Sequence, residues 1–359
     1  MKTKNIPLPC GGLGEGLEDY SFPAEWMPHE ATWLTYPHRD DSFPGKIDAV
    51  YPAYLRFIAV ISESEKVRIN VPAAFRGRLE RQLLQAGVNT GSVELFVRES
   101  NDVWCRDHGP AFVVNSRTGQ KAVVDWEFNA WGGKYPCDRD NLIASAVAAD
   151  LGLPVYRAGI VMEGGSVELN GAGSLLTTKA CLLNPNRNPH LTGHQIEQYL
   201  CRYYGVSQVL WLEDGIAGDD TDGHVDDMTR FIAPDTVVTA VESNRNDVNY
   251  LPLQRNLQLL KKMRLANGRQ LNIIELPMPK PVIYRGQRLP ASYANFYFTN
   301  RSVAVPVFRC PQDEKALQIL ADCIPHRRMA AIDSADIVCG LGSFHCLSQQ
   351  EPACSVVAD

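Results

Sequence analysis

Hydrophobic and polar positions along the chain repeat one order of predicted elements. In its first copy, alternating apolar residues predict two strands, residues 111–116 and 121–128, joined by a tight turn. A helix over residues 140–151 and a short strand over 153–157 follow them. The pattern therefore predicts a ββαβ unit.

The same order returns three more times, with hairpins that begin at Ser166, Met228 and Asn295. The helix of the second unit carries the clearest signal. Thr192 stands three residues before Gln195, which is the spacing of a capping box at a helix N-terminus. The repetition indicates an α/β fold built from equivalent units.

A fifth unit can be assembled from the two ends of the chain. A strand around residues 344–348 would pair with one at 31–36, and a helix over 48–64 and a strand over 67–71 would complete the order. Repeated units form solenoids or closed radial arrays. A unit shared by both termini favours closure.

The first 21 residues are rich in glycine and polar residues and have no periodicity, so they predict a mobile N-terminal arm. No low-complexity linker interrupts residues 22–359, which we therefore expect to form one domain. Apolar residues make up 45% of the 359 residues and charged residues 21%, as in soluble globular proteins.

Composition and charge exclude several classes of partner. No apolar run is long enough to span a membrane, and a net charge of −6 gives no general basic field for nucleic acid. The first thirty residues lack a signal-peptide pattern, and the ten cysteines include no CxxC pair. We therefore expect reduced thiols, a cytoplasmic location and a small-molecule partner; a homodimer is compatible with these features.

Polar clusters stand immediately before the first strand of several units. They contain Asp107, Glu163, the pair His224 and Asp226, and, in the last unit, Cys346. If the units surround a pseudo-rotation axis, equivalent positions meet at that axis. These five side chains would then converge from distant parts of the chain.

Each of these residues also has a simpler interpretation. Asp107 could lie in a surface turn, the five aspartates between 219 and 227 could form a solvated loop or a cation site, and Cys346 could be a core thiol. His224 and Asp226 are two residues apart, so in a strand their side chains would point to the same side. Five such residues at equivalent points favour a shared functional site.

The residue types at these positions suit one chemistry. A cysteine thiolate is a strong nucleophile, and a nearby histidine can shuttle protons. Paired carboxylates can grip the planar guanidinium group bidentately, and a thiolate held beside its carbon is placed for attack. The set suggests hydrolysis of a guanidino C–N bond with release of ammonia, without a metal or another cofactor.

Nine sequence motifs carry a resemblance to a known family. They are PAEW at 23–26, PHEATW at 28–33, WCRDHGP at 104–110, FNAWGGKY at 128–135, EGG at 163–165, NRNP at 186–189, GHVD at 223–226, ASYANFY at 291–297 and HCLSQQEP at 345–352. With them the sequence resembles the agmatine deiminase and bacterial-type peptidyl-arginine deiminase family, within the guanidino-group-modifying superfamily.

The resemblance implies a fold and a set of roles. The fold is a five-bladed α/β propeller (pentein) of pseudo-symmetric ββαβ units. The catalytic roles are a nucleophile, a general acid and base, and two guanidinium ligands, carried by Cys346, His224, Asp107 and Asp226. The implied pocket contacts are Glu163 and Trp104. The glycine-rich run that family members often carry before the terminal His-Cys is replaced here by Leu341–Phe344, and the segment after Tyr135 is shortened.

The charged candidates are mainly acidic, and Asp220 adds a further expected substrate-binding carboxylate. We therefore expect agmatine, a dication, to be hydrolysed to N-carbamoylputrescine through a thiouronium intermediate on the cysteine. Free arginine would need a cationic partner for its carboxylate; Arg106 could fill that role, or it could form a structural ion pair with the adjacent Asp107. The alternative substrate is arginine within a protein, as for a peptidyl-arginine deiminase.

Two other classes of protein share part of this pattern. A Cys-His protease would need an oxyanion hole and a peptide groove, whereas this predicted site is acidic. A cation-binding propeller without enzymatic activity would use the aspartates of residues 219–227. Ammonia release separates the first class from a deiminase, and binding of calcium or magnesium tests the second.

Overall fold

The computed structural model describes residues 16–354, and over this range the chain has a mixed α/β fold. Five of the sheets formed by these residues share one order. Two antiparallel strands are followed by a helix and by a third strand, which is parallel to the second. The predicted ββαβ order is thereby confirmed.

Four of the five units follow one another along the chain. The first contains strands Ala111–Asn115 and Lys121–Glu127, helix Ile143–Leu151 and strand Val155–Val161. The second contains Val167–Leu169, Ser174–Thr178, helix Gly193–Tyr204 and Gln208–Leu212. The third contains Thr229–Ala233, Thr236–Val241, helix Tyr250–Lys262 and Asn272–Pro277. The fourth contains Tyr297–Phe298, Ser302–Val307, helix Gln312–Cys323 and Arg328–Asp333.

The fifth unit joins the two ends of the chain, as the sequence predicted. Its members are the antiparallel strands Ser348–Pro352 and His29–Thr35, helix Ile47–Ser62 and strand Lys66–Val71. Helix Arg76–Gln85 and strand Val93–Val97 extend this sheet by one parallel strand. Among the described residues, the five sheets stay separate from one another in their strand pairing.

The predicted strand over residues 344–348 is wrong in its position. Phe344–Leu347 forms one turn of helix, and the strand that pairs with His29–Thr35 begins at Ser348. The side chain of Asn295 explains the difference, because its Oδ1 accepts hydrogen bonds from the backbone N–H groups of His345 and Cys346. These donors therefore have a partner without a neighbouring strand.

The predicted N-terminal arm, residues 1–21, falls mostly outside the described residues, which begin at Gly16. The part that is described belongs to the fold. Strand Tyr20–Ser21 pairs with Ala111–Asn115, and Leu17 is buried. Burial of these apolar side chains places the start of the ordered unit before the predicted boundary at residue 22.

Smaller elements complete the described part of the chain. They are the hairpin Ile283–Tyr284 with Gln287–Arg288, and the short helices Cys105–His108, Ala130–Gly133 and Lys179–Leu182. No described helix is both long enough and apolar enough to cross a membrane.

Local sequence signals account for several of the boundaries. The helix Gly193–Tyr204 begins with the predicted capping box of Thr192 and Gln195, and Gly205 ends it in the left-handed conformation at φ 65°. The strands Ser174–Thr178 and Ser348–Pro352 are buried along their whole length. The polar residues that precede the units are therefore held on well-packed elements.

Candidate active site

The polar segments that precede the units meet at one place. A Cβ atom built on Gly165 would lie 2.5 Å from Nδ1 of His224, 2.8 Å from Oδ1 of Asp107 and 3.1 Å from Oδ2 of Asp226. Only glycine leaves room for this approach. The structure thus brings three of the predicted site residues around one backbone position, and Glu163 and Cys346 lie next to them.

Cys346 lies on the single helical turn Phe344–Leu347, and its side chain is buried at the base of a cavity. Its Sγ is 3.0 Å from Nδ2 of Asn295 and 3.6 Å from Oδ2 of Asp226. Burial raises the pKa of the Cys346 thiol well above its usual range, and the nearby carboxylates of Asp226, Asp227 and then Asp107 add to the effect. The free site therefore holds a protonated thiol.

Asp107 lies on the short helix Cys105–His108 with both carboxylate oxygens held. Oδ1 accepts a hydrogen bond of 2.9 Å from the Gly165 N–H, and Oδ2 accepts one of 3.0 Å from the indole of Trp131. The pKa of Asp107 is raised to about 6. Burial is the main cause and the like charge of Asp226 adds to it, whereas the positive charge of His224 acts in the opposite direction. A substrate cation between Asp107 and Asp226 would relieve this repulsion.

Asp226 belongs to the 3₁₀ turn Val225–Asp227 and is fully buried. Its Oδ2 accepts a hydrogen bond of 2.7 Å from Nδ1 of His345, whereas its Oδ1 has no partner within the described protein. Burial would raise the pKa of Asp226, but the hydrogen bond and charge of His345, followed by the charge of His224, lower it. The site thus presents an ionised carboxylate with one uncommitted oxygen beside the thiol.

His224 precedes the same turn, with its ring between two carboxylates. Nδ1 is 3.7 Å from Oδ1 of Asp107, and Nε2 is 3.9 Å from Oε2 of Glu163. Burial alone would lower the pKa of His224, but Asp107, Cys181 and Glu163 raise it well above its usual range. The ring is therefore a proton donor in the free site.

Glu163 is held by a cation that the sequence analysis did not name. Its Oε1 accepts a hydrogen bond of 2.7 Å from Nε of Arg187, and both side chains are buried. Burial acts to raise the pKa of Glu163, but His224 and Arg187 outweigh it and lower the pKa. Glu163 therefore stays ionised beside His224.

A cavity of about 430 Å³ leads from the surface to Cys346 and Asp107. Two tryptophans, Trp104 and Trp131, line it, so the predicted wall position of Trp104 agrees with its place in the structure. Asp220 lines the outer part, where it accepts a hydrogen bond of 2.7 Å from the hydroxyl of Tyr135. Asp220 is thus separate from the buried carboxylates and faces the entrance of the cavity.

Two parts of the sequence reasoning need correction. His224 and Asp226 are not in a strand; the pair spans the start of a 3₁₀ turn, and the backbone N–H of His224 donates to Oδ2 of Asp219. Arg106 is buried away from the entrance, where it donates to Oε1 of Gln350 at 2.7 Å and lies 3.4 Å from Glu25. It is therefore not available to a substrate carboxylate.

Sequence reasoning missed several residues of the site. Asn295 and Trp131 both lie in the quoted motifs, but they received no role. Cys181 and Arg187 were not singled out for function, although Arg187 belongs to the NRNP motif. Their positions in the units could have identified them: Asn295 precedes the first strand of the fourth unit, and the other three follow the second strand of the first or second unit.

The five aspartates between 219 and 227 have different protein partners. Asp219 accepts from Thr221 and His224, Asp220 from Tyr135, and Asp222 from Asn186. Asp226 and Asp227 accept from His345 and Asn295. These carboxylates are therefore spread over separate contacts, which weakens the calcium or magnesium interpretation of the loop.

Two groups of side chains have a spacing that could suit a metal. They are Glu163, Cys181 and His224, and Asp226, Asp227 and Cys346, with ligand atoms within 4.8 Å of one another in each group. In the first group Arg187 already binds Glu163 and lies 3.9 Å from Sγ of Cys181. That fixed positive charge opposes a divalent cation.

The fold and the site together define a protein of mixed α/β structure with an acidic pocket that reaches a buried cysteine. The chain belongs to the Porphyromonas-type peptidyl-arginine deiminase family, whose model matches residues 21–352. An agmatine deiminase of Ectopseudomonas mendocina is 35% identical over 360 residues, covering 94% of this chain and 96% of the relative.

Solved structures give the same result. An agmatine deiminase of Enterococcus faecalis superimposes with a TM-score of 0.89 at 34% identity, covering 95% of this chain and 98% of the other. An agmatine deiminase of C. jejuni, solved with substrate bound, has a TM-score of 0.83 at 33% identity, covering 92% and 96%. The similarity therefore extends over nearly the whole chain in both sequence and fold.

Proposed function

We propose that this protein is an agmatine deiminase, which hydrolyses agmatine to N-carbamoylputrescine and ammonia, a step towards putrescine. The observation that carries the proposal is the buried Oδ1 of Asp226, which has no protein partner and lies on a carboxylate in contact with the Cys346 thiol. A planar cation with several N–H donors would satisfy this oxygen and bring an electrophilic carbon to the sulfur.

The substrate guanidinium lies between Asp107 and Asp226 in this proposal. Protein donors fix both carboxylates. The Gly165 N–H and the indole of Trp131 donate to the two oxygens of Asp107, and His345 contacts Oδ2 of Asp226. Their remaining lone pairs accept the N–H groups of the substrate. Fixing both carboxylates before the substrate arrives lowers the cost of orienting it.

Substrate binding also activates the nucleophile. The carboxylates around Cys346 hold its thiol protonated. A bound guanidinium neutralises them and so favours release of the thiol proton to solvent through the cavity, because the His224 ring is already protonated. The thiolate then attacks the guanidinium carbon. The substrate that must be cleaved is thus the cation that makes the thiolate stable.

His224 completes the two stages as acid and then as base. Its protonated ring gives a proton to the departing ammonia, leaving a thiouronium on Cys346. The neutral ring then takes a proton from water, which attacks the same carbon and releases the ureido product. Glu163 keeps the ring oriented and favours its charged form, because Nε2 lies 3.9 Å from Oε2.

The entrance supports a cationic substrate tail, with Asp220 as its partner. Arg39 is paired there with Asp41, so its charge is already compensated. Arg285 also lines the entrance, and its guanidinium lies over the ring of Tyr284. This arginine is the cation best placed to meet the carboxylate of free arginine, which is the main competing small substrate.

The five units close into a five-bladed propeller in this proposal, with the described residues 16–354 in one domain. Contacts between successive units support the closure: Lys121 with Glu351, Asn188 with Val161, Arg230 with Glu168 and with the Phe296 carbonyl, and Asn300 with His29. The last contact returns to the unit of the first, so the chain of contacts forms a ring.

Three expectations from the sequence remain proposals. They are a cytoplasmic location, independence from nucleic acid, and assembly as a homodimer. Size measurement of the purified protein by light scattering tests the last, since a monomer has a mass of 39.8 kDa.

The function is tested by product analysis. Purified protein is incubated with agmatine, and the products are identified by mass spectrometry, with Cys346→Ala as the matched control. N-carbamoylputrescine and equimolar ammonia from the unmodified protein alone support the proposal. Absence of both, with turnover of an arginine-containing peptide to citrulline, would instead establish the peptidyl-arginine deiminase alternative.

A further inference from the structure

The PAEW motif at residues 23–26 lies far in sequence from the catalytic candidates, and the reaction above makes no use of it. In the structure, Glu25 of this motif is buried, and its carboxylate is surrounded by several hydrogen-bond donors. Its Oε2 is 2.7 Å from Nε2 of His345, 2.8 Å from Nη2 of Arg230 and 3.4 Å from Nη2 of Arg106. The Phe298 N–H donates to Oε1 at 2.9 Å.

His345 connects this carboxylate to the site. Its Nε2 contacts Glu25, and its Nδ1 is 2.7 Å from Oδ2 of Asp226. A neutral imidazole has one N–H and can donate to only one of two ionised carboxylates. Burial acts to raise the pKa of Glu25, but Arg230 and His345 hold it well below its usual range, and the pKa of Asp226 is lowered too. The His345 ring therefore lies between two carboxylates and contacts one with each of its nitrogens.

We propose that Glu25 and His345 are positioning residues of the reaction: Glu25 fixes the orientation of the His345 ring, and His345 fixes the rotation of the Asp226 carboxylate and stabilises its negative charge. The inference rests on the proposed function, because Asp226 is there a ligand of the substrate guanidinium. With Oδ2 held by His345, the plane of the carboxylate is set and Oδ1 remains for the substrate. His345 precedes Cys346 directly, so the same helical turn positions both the nucleophile and the carboxylate beside it.

The charged groups around His345 and Asp226 indicate that His345 acts on Asp226 electrostatically. Several charged or titratable groups face His345 and Asp226 from the packed elements: Glu25, Arg106, Asp107, Glu168, His224, Asp227, Arg230 and Cys346. Two of the carboxylates, Asp107 and Asp227, lie on the side of the Cys346 thiol, as Asp226 itself does. Without the positive charge of His345, Asp226 would share that region with Asp107 and Asp227 and would take up a proton more readily.

The test is the pH dependence of kcat/KM in His345→Gln and Glu25→Gln. We expect the acid limb to move to higher pH by about one unit in His345→Gln, with a smaller shift in the same direction in Glu25→Gln. KM at pH 8 should rise at least tenfold in His345→Gln, because the guanidinium loses an oriented ligand. A purely structural role would lower the amount of active protein and leave the position of the limb unchanged.

Glu168→Gln is the matched control. Glu168 is also buried and accepts from Nε of Arg230 at 2.8 Å, but its hydrogen bonds do not include His345, which acts on it only through space. We expect the acid limb of Glu168→Gln to move less than that of Glu25→Gln. A shift in Glu168→Gln as large as in Glu25→Gln would assign the effect to Arg230 and overturn the proposal.

A second measurement does not depend on activity or on folding of the variants. In ¹⁵N-histidine-labelled wild-type protein, NMR should show a proton on Nδ1 of His345, the nitrogen that contacts Asp226, and a ring without a proton on Nδ1 would overturn the proposal. The kinetic profiles are recorded on whichever guanidino substrate the wild type hydrolyses. Failure with agmatine would therefore count against the proposed substrate, and an unshifted acid limb against the positioning role.

Discussion

Gly165 offers a direct test of how closely the site residues are packed, through the single change Gly165→Ala. The new Cβ would lie 2.5 Å from Nδ1 of His224 and 2.8 Å from Oδ1 of Asp107. Ordinary van der Waals contact would require the imidazole and the methyl group to separate by about 1 Å. The backbone at Gly165 does not have a positive φ, so alanine is conformationally allowed there.

The expected loss follows from that displacement. Moving a catalytic group by about 1 Å can cost on the order of 10²-fold in rate. We therefore expect kcat/KM for agmatine to fall about 100-fold, with most of the loss in kcat, since His224 is both acid and base. The thermal midpoint should change little, because the methyl group displaces one side chain and leaves the apolar clusters intact.

The assay is ammonia release under steady-state conditions, with circular dichroism melting as the measure of folding. Gly193→Ala is the control: a Cβ there meets Leu183 at 3.4 Å, an ordinary contact, and alanine suits a helix. A Gly165→Ala enzyme with more than half the wild-type kcat/KM would refute the placement of His224 against Asp107.

Four further predictions concern single groups. Cys346→Ala should abolish turnover and keep the fold, whereas Cys354→Ser should keep full activity; a tenth of the wild-type rate in Cys346→Ala would contradict the assignment. Exhaustive chelation with EDTA should leave activity unchanged, and loss restored by a divalent ion would show a catalytic metal. Asp107→Asn should be inactive, and its melting temperature relative to the wild type should be higher at pH 8 than near pH 4. Burial gives Asp107 a pKa of about 6, above its unfolded value, so its charge lowers the stability of the wild type as pH rises through that range; a difference in melting temperature that is the same at both pH values would contradict this. Arg285→Ala should raise kcat/KM for agmatine and lower that for arginine, each by roughly two- to fivefold because the charge is exposed; a change of both in the same direction would exclude the charge effect.

The order of elements was predictable because it depends on local signals. Capping at Thr192, the stop at Gly205 and the alternation in the hairpins are encoded within a few residues, and they appear in the structure as predicted. The joining of the two chain ends followed from counting units. The strand at 344–348 was misplaced because its backbone donors bind the side chain of Asn295, which is distant in sequence.

The candidate site was predictable to the level of residue type and approximate place. Asp107, Glu163, His224, Asp226 and Cys346 all stand before equivalent strands, so the repeat placed them together. Their protonation was not predictable, since it depends on burial and on distant partners such as Arg187 and His345. The need for glycine at position 165 was not predictable either, because it makes room for His224, which is distant in sequence.

Comparison of three substrates tests the central claim most directly. Steady-state ammonia release is measured with agmatine, free arginine and an arginine-containing peptide, using the same enzyme preparation at pH 8. The acidic pocket around Asp107, Asp226 and Asp220 predicts the highest kcat/KM for agmatine, and Cys346→Ala should release no ammonia from any of the three. A kcat/KM for arginine or the peptide equal to or above that for agmatine would contradict the proposed function.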